Sequence, residues 1–137
     1  MPIPWNEEYG VQVEEIDNQH KYFIELLNEL YDTILHKKSA SEIQELFVKL
    51  DDYAVLHFKT EEEYFDLFHY ELADEHKKEH KKLLKKAREF KKHYQNHPEK
   101  IYDILAELFD FLENWLVDHL ANQDRKYIDC FKKNGLH

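Results

Sequence analysis

The sequence predicts an all-α protein: an up-down-up-down four-helix bundle with an irregular N-terminal arm and a short C-terminal helix. Among its 137 residues are only 2 Gly and 3 Pro, too few for the tight turns of an all-β chain, while Leu, Glu, Lys and Phe abound. Apolar residues recur at alternating spacings of three and four along four stretches, the pattern of a helix with one buried face. Capping and breaking residues separate most of these stretches. The length is that of one domain with room for a real core.

The first residues, through about Glu15, show no period and form the expected arm (residues 1–15). Ile16, His20, Phe23, Leu27, Leu30 and Ile34 then make the first stripe. Ser39 and Glu42 stand at capping-box spacing and open the second helix, whose stripe is Ile43, Leu46, Leu50, Tyr53, His57, Glu61, Tyr64 and Phe68. No Gly or Pro marks its end. A turn is placed near Leu67–Glu71 because an unbroken helix to Tyr94 would be far longer than globular helices usually are. Leu72, His76, His80, Leu83, Ala87, Phe90 and Tyr94 form the third stripe. Asn96-His97-Pro98 breaks the chain, and Pro98 suits the first turn of a new helix. The fourth stripe is Ile101, Leu105, Leu108, Leu112, Trp115 and His119. The bundle therefore spans about 16–121, and a C-terminal segment of about 122–137 carries Tyr127, Ile128 and Phe131.

Composition excludes several functions. A net charge of −10 argues against nucleic acid or an anionic membrane as partner. No apolar run approaches a membrane span, and the N-terminus lacks the basic start and apolar core of a signal peptide. The lone Cys130 excludes an intrachain disulfide and fits a reducing compartment. These features predict a soluble, cytoplasmic protein. The lysines of Lys77–Lys92 fall mostly off the apolar stripe, as on a solvated helix face.

What distinguishes the chain is polar. His20, His57, Glu61, His76, His80 and His119 occupy core-facing positions, where an unpartnered polar group costs roughly 2–7 kcal/mol. In an up-down-up-down bundle the start of the first helix, the end of the second, the start of the third and the end of the fourth share one end. All six residues lie at that end. Two pairs, His57/Glu61 and His76/His80, are four apart and share a helix face. Asp124, five residues past His119, leaves the face by about 140° in a regular helix, so its participation requires the helix to end or distort near Asn122. A metal centre would satisfy this set. Imidazole and carboxylate together suit iron, zinc, manganese or copper. Seven donors exceed one tetrahedral zinc and suit two ions sharing carboxylates. The remaining histidines, His36, His69, His93, His97 and His137, fall at turns, helix ends or the terminus and are expected to face solvent.

The pattern resembles the hemerythrin family. His20, the segment His57-Phe58-Lys59-Thr60-Glu61-Glu62 (family pattern H-F-x-x-E-E), His76-x-x-x-His80 and His119-x-x-x-x-Asp124 match its ligand positions in order. Pro4-Trp5, Val13–Asp17 and Trp115-Leu116 match its flanks. The resemblance implies two iron ions bridged by oxo or hydroxo and by the carboxylates of Glu61 and Asp124, with O2 as ligand. It gives His76, His80 and His119 to one iron, and His20 and His57 to the other, which keeps an open position. Phe58, Trp115, Leu116 and Leu120 are the candidates to line the O2 pocket. The implied function is reversible O2 binding for storage, transport or delivery, not catalysis, to a recipient the residues do not name. Alternatives are an O2 or redox sensor acting through a separate partner, a di-iron peroxidase or NO-handling enzyme, and an iron store.

Overall fold

The computed structural model describes residues 2–137; Met1, the first residue of the expected arm, lies outside them. The described residues form helices α1 (Glu14–Leu35), α2 (Ala40–Phe68), α3 (Ala73–Asn96), α4 (Ile101–Trp115) and α5 (Ile128–Lys133), and no strand. Short connections between long helices force neighbours to run antiparallel. α1 packs on α2 and α4, and α3 packs on α2 and α4, which closes the four-helix bundle.

Local chemistry sets the boundaries. The Ser39 hydroxyl caps α2 by accepting from the Glu42 backbone N–H and donating to the Glu42 carboxylate. α2 ends where expected but without glycine: His69 adopts the left-handed conformation (φ 54°), and the next N–H, of Tyr70, bonds back to the Phe65 carbonyl at 3.0 Å. Pro98 opens a 3-10 turn, Pro98–Lys100, that leads into α4. α1 begins at Glu14, and the arm before it contains a 3-10 turn, Glu7–Tyr9. The arm is tied down at several points. Asn28 bonds both backbone groups of Ile3, Asp17 accepts from the Val11 N–H, and Arg125 donates to the Glu7 and Gly10 carbonyls.

The departure from a regular bundle is at the end of α4. The chain does not simply stop there but continues as a π-helix, Leu116–Gln123, and a 3-10 turn, Asp124–Tyr127, before α5. The distortion begins six residues earlier than the expected point near Asn122.

Two apolar clusters flank a polar layer. The larger fills the body of the bundle and includes Leu27, Leu30, Leu46, Leu105 and Leu108. The smaller caps one end with Val11, Val13, Ile16, Phe65, Tyr127 and Phe131. His36, His69, His93, His97 and His137 are exposed, as are Lys78, Lys81, Lys82 and Lys85 on the outer face of α3.

Candidate metal centre

α1 contributes His20, α2 His57 and Glu61, α3 His76 and His80, and the π-helix with the turn after it His119 and Asp124. All seven are buried, none more than 5% exposed. Their donor atoms fall into two overlapping groups, each within 4.8 Å internally: Glu61, His76, His80, His119 and Asp124, and His20, His57, Glu61 and Asp124. The two carboxylates belong to both groups.

The π-helix explains Asp124. Its backbone bonds close over five residues instead of four, and the Asp124 N–H bonds to the His119 carbonyl. The wider turn stacks Asp124 over His119, where a regular helix would swing it aside. π-bulges of this kind are frequent at functional sites because they re-aim one side chain.

The Nε2 atoms of the five histidines converge. Asp124 Oδ1 lies 2.8 Å from Nε2 of both His76 and His119, and its Oδ2 lies 3.1 Å from His20. Glu61 Oε1 is 3.0 Å from His80, 3.3 Å from His57 and 3.7 Å from His76. These approaches lack hydrogen-bond alignment, so all five Nε2 atoms, Glu61 Oε1 and both Asp124 oxygens are buried without a bonded partner. Buried polar atoms are rarely left so. Lone pairs aimed at common points are what metal ions require, so the residues present fit a pair of them.

The far side of the imidazoles supports this. His20 Nδ1 is 2.7 Å from the Tyr9 carbonyl, which can only accept. That bond puts the proton on Nδ1 and leaves Nε2 with its lone pair free. His57 Nδ1 meets the Gln19 side-chain oxygen at 2.6 Å, and Gln19 is itself held by its amide donating to Thr60. His80 Nδ1 meets the Glu62 carboxylate at 2.8 Å. Such partners fix the orientation of ligating imidazoles and raise their basicity. The Tyr127 hydroxyl donates to Glu61 Oε2 and orients that carboxylate. Aromatic rings pack the imidazole faces: Tyr53 on His57, Phe58 on His80 and Trp115 on His119. Leu116 and Leu120 are buried in the larger apolar cluster beside them.

Charge is balanced within the layer. Burial alone would raise the pKa of Glu61, but His57, His76 and His80 outweigh it and hold the carboxyl well below its usual range. Asp124 is likewise held low, against burial and the neighbouring Glu61, by His119 and His20. Burial disfavours a charged His76, yet Asp124 and Glu61 push its pKa up to about 10. His57 goes the other way, lowered by burial. The carboxylates therefore stay ionised and demand positive charge, which protons on imidazole or metal ions supply.

Every residue singled out from the sequence as a ligand is in this layer. The sequence gives no signal for Tyr9, which acts through a backbone carbonyl. Gln19, Glu62 and Tyr127 went unassigned, although each adjoins a ligand or lies three residues from one.

Residues 11–131 match the family model for the hemerythrin HHE cation binding domain. The chain is 30% identical over 128 residues to a bacteriohemerythrin of Clostridium acetobutylicum, covering 91% of this chain and 98% of that one. It is 31% identical over 130 residues to a bacteriohemerythrin of Pseudomonas aeruginosa, covering 95% and 82%. Among solved structures, a wild-type hemerythrin superposes with a TM-score of 0.78 at 31% identity, over 95% of this chain and 98% of its own.

Proposed function

This chain belongs to the hemerythrin family, and from that premise we propose that it binds O2 reversibly at a pair of iron ions, to store, transport or deliver oxygen. The observation that supports it best is the sharing of Glu61 and Asp124 between one group of five donor residues and one of four. In this proposal His76, His80 and His119 would hold one iron, His20 and His57 the other, and the two carboxylates would bridge them. The second iron would be held by one imidazole fewer, which would leave it the one able to take O2. When bound, the iron pair supplies the electrons that make O2 binding favourable.

The chain's own residues do the rest. Gln19, the Tyr9 carbonyl and Glu62 hold three imidazoles in the ligating tautomer. Tyr127 keeps the second Glu61 oxygen occupied, and burial holds its phenol protonated well above the ordinary range. Phe58, Trp115, Leu116 and Leu120 form the apolar lining of the O2 position and exclude the water that would promote oxidation of the pair. A carboxylate-poor, imidazole-rich set is less suited to stabilising highly oxidised iron, which favours binding over oxidative turnover, and no residue is given a catalytic role. Among the described residues no helix is long and apolar enough to cross a membrane. With Cys130 as its one thiol, unpaired, we place the protein in the cytoplasm.

The test is the visible spectrum of iron-loaded protein, reduced without air, exposed to O2 and then purged. A coloured form that bleaches on purging is the expected result. Irreversible oxidation in one exposure would instead indicate a redox enzyme or sensor.

A further inference from the structure

We infer that the bundle contains a second O2 site, an apolar cavity away from the metal ligands that takes the gas in from the α2–α3 surface and passes it to the centre. The inference rests on the proposed O2 binding but concerns different residues.

The cavity lies within the bundle and has a volume of ≈ 30 Å³. A single water occupies about 10–15 Å³ on this measure, so there is room for a diatomic molecule and little more. Phe47, Leu50, Leu83, Ala87, Leu108 and Leu112 are among its walls. A water molecule needs two to four polar partners to be held, and these six side chains provide none, the polar groups of the lining being Asp51, Arg88, Tyr53 and Trp115. O2, with no hydrogen bonds to lose, gains dispersion contacts there. The chemistry of the walls selects an apolar gas.

The two ends of the cavity give it direction. At the inner end the walls are Tyr53, Phe58 and Trp115. Each of these rings packs face-on against an imidazole of the centre, with centroids 5.4 Å apart for Tyr53–His57 and 3.8 Å for both Phe58–His80 and Trp115–His119. The cavity thus ends one ring away from three of the five imidazoles, including His57 on the side proposed to stay open. At the outer end stand the charged lining residues Asp51 and Arg88. Arg88 donates to both Asp51 oxygens, at 2.9 and 3.4 Å, bridging α2 and α3. Both side chains are substantially exposed. An exposed ion pair is weak and screened by salt, so it opens readily.

A route through packing is required, because every proposed ligand is buried. Two clefts touch ligands directly. One is mainly polar and reaches His76 past Glu75, Glu79 and Lys126, and the other, of mixed lining, reaches His119 past Phe111, Trp115, Asn114 and Asp118. The polar and charged groups along both suit water, protons and cations. The apolar cavity gives O2 a separate way in, which keeps gas traffic apart from water.

Xenon, an apolar atom of similar size, probes the cavity without iron chemistry. In iron-loaded protein, the ¹²⁹Xe resonance should shift on binding, and Ala87→Leu, which fills the cavity from α3, should abolish the shift. In the same variant, flash-photolysis or stopped-flow measurement should show O2 association and dissociation both slowed about tenfold, with their ratio, and so Kd, unchanged. Arg88→Ala should speed both. An absent xenon shift in the parent protein overturns the inference, as do O2 rates that Ala87→Leu leaves unaltered. Xenon binding in a protein that takes up no O2 would instead leave the cavity in place and sink the proposed function.

Discussion

Leu50 and His57 lie seven residues apart on the same face of α2, and both are buried, but they are buried for opposite reasons. Leu50 belongs to the larger apolar cluster, where removal from water is itself stabilising. His57 belongs to the polar layer, where burial costs free energy until something bonds its Nε2. The body of the bundle therefore makes the fold, and the polar layer draws on that stability to hold a site. The layer can be polar because apolar clusters lie on both sides of it. The two regions should therefore respond differently to metal.

Removing metal should give the largest effect, and all of it should come from the polar layer. A ligand present at a thousandfold over its Kd adds about 4 kcal/mol per site to folding stability. Loss of both ions should lower Tm by roughly 15–30 °C. Calorimetry of chelated and loaded protein checks this, and equal melting temperatures would remove the distinction between the regions.

In the apolar body, Leu105→Ala should cost about 2–5 kcal/mol in chelated and loaded protein alike, because the cavity it leaves is indifferent to metal. His57→Ala should do the reverse. It should abolish O2 binding and iron at the four-residue group, and cost far more stability in loaded than in chelated protein, where loss of the Nδ1 bond to Gln19 is partly offset by removing an Nε2 that had no partner. Denaturant melts of both variants, with and without iron, decide between these outcomes.

Gln19→Ala should weaken metal binding by about 10–100-fold, as loss of an outer hydrogen bond to a ligating imidazole typically does. The helix itself should be untouched, so an unchanged affinity in a chelator-competition titration would show that Gln19 does not orient His57.

The smallest effect per step is a dependence on pH, at most about 1.4 kcal/mol for each pH unit. In chelated protein, His76 has its pKa raised to about 10 from 6.5. Its contribution to stability is complete below 6.5 and is lost as pH rises through about 10. Glu61 and Asp124 are held low, so theirs is present above about 4.5 and is lost only as pH falls through the depressed values. Chelated protein should therefore lose Tm steadily between pH 6.5 and 10, whereas in loaded protein the metal has displaced the His76 proton and the alkaline slope should vanish. A slope common to both forms would mean that metal does not displace that proton.

The helices and the ligands were legible for one reason: both are written in periodicity. Ile16 and His20, or His76, His80 and Leu83, sit on one stripe, so the pattern that shows the core also shows what is foreign to it. Asp124 was legible only as a contradiction. Its five-residue step from His119 does not fit a regular helix, and the π-helix resolves this by closing its bonds over five residues. Where that helix begins was not legible, because Leu116–Gln123 has the composition of an ordinary amphipathic helix. The Tyr9 carbonyl has no side chain to give it away. Tyr127 lies in a C-terminal segment without a long stripe, and its bond to Glu61 depends on how the turn Asp124–Tyr127 sits over the layer. The apolar cavity is a property of packing among four helices, which no single stripe records.

In the proposed function the polar layer holds two metal ions that share Glu61 and Asp124. The direct measurement is an anaerobic titration of chelated protein with Fe(II), following O2-dependent colour and iron bound per chain. A break in both at two equivalents is the predicted result. A break at one equivalent, or iron bound without any O2-dependent colour, would contradict it.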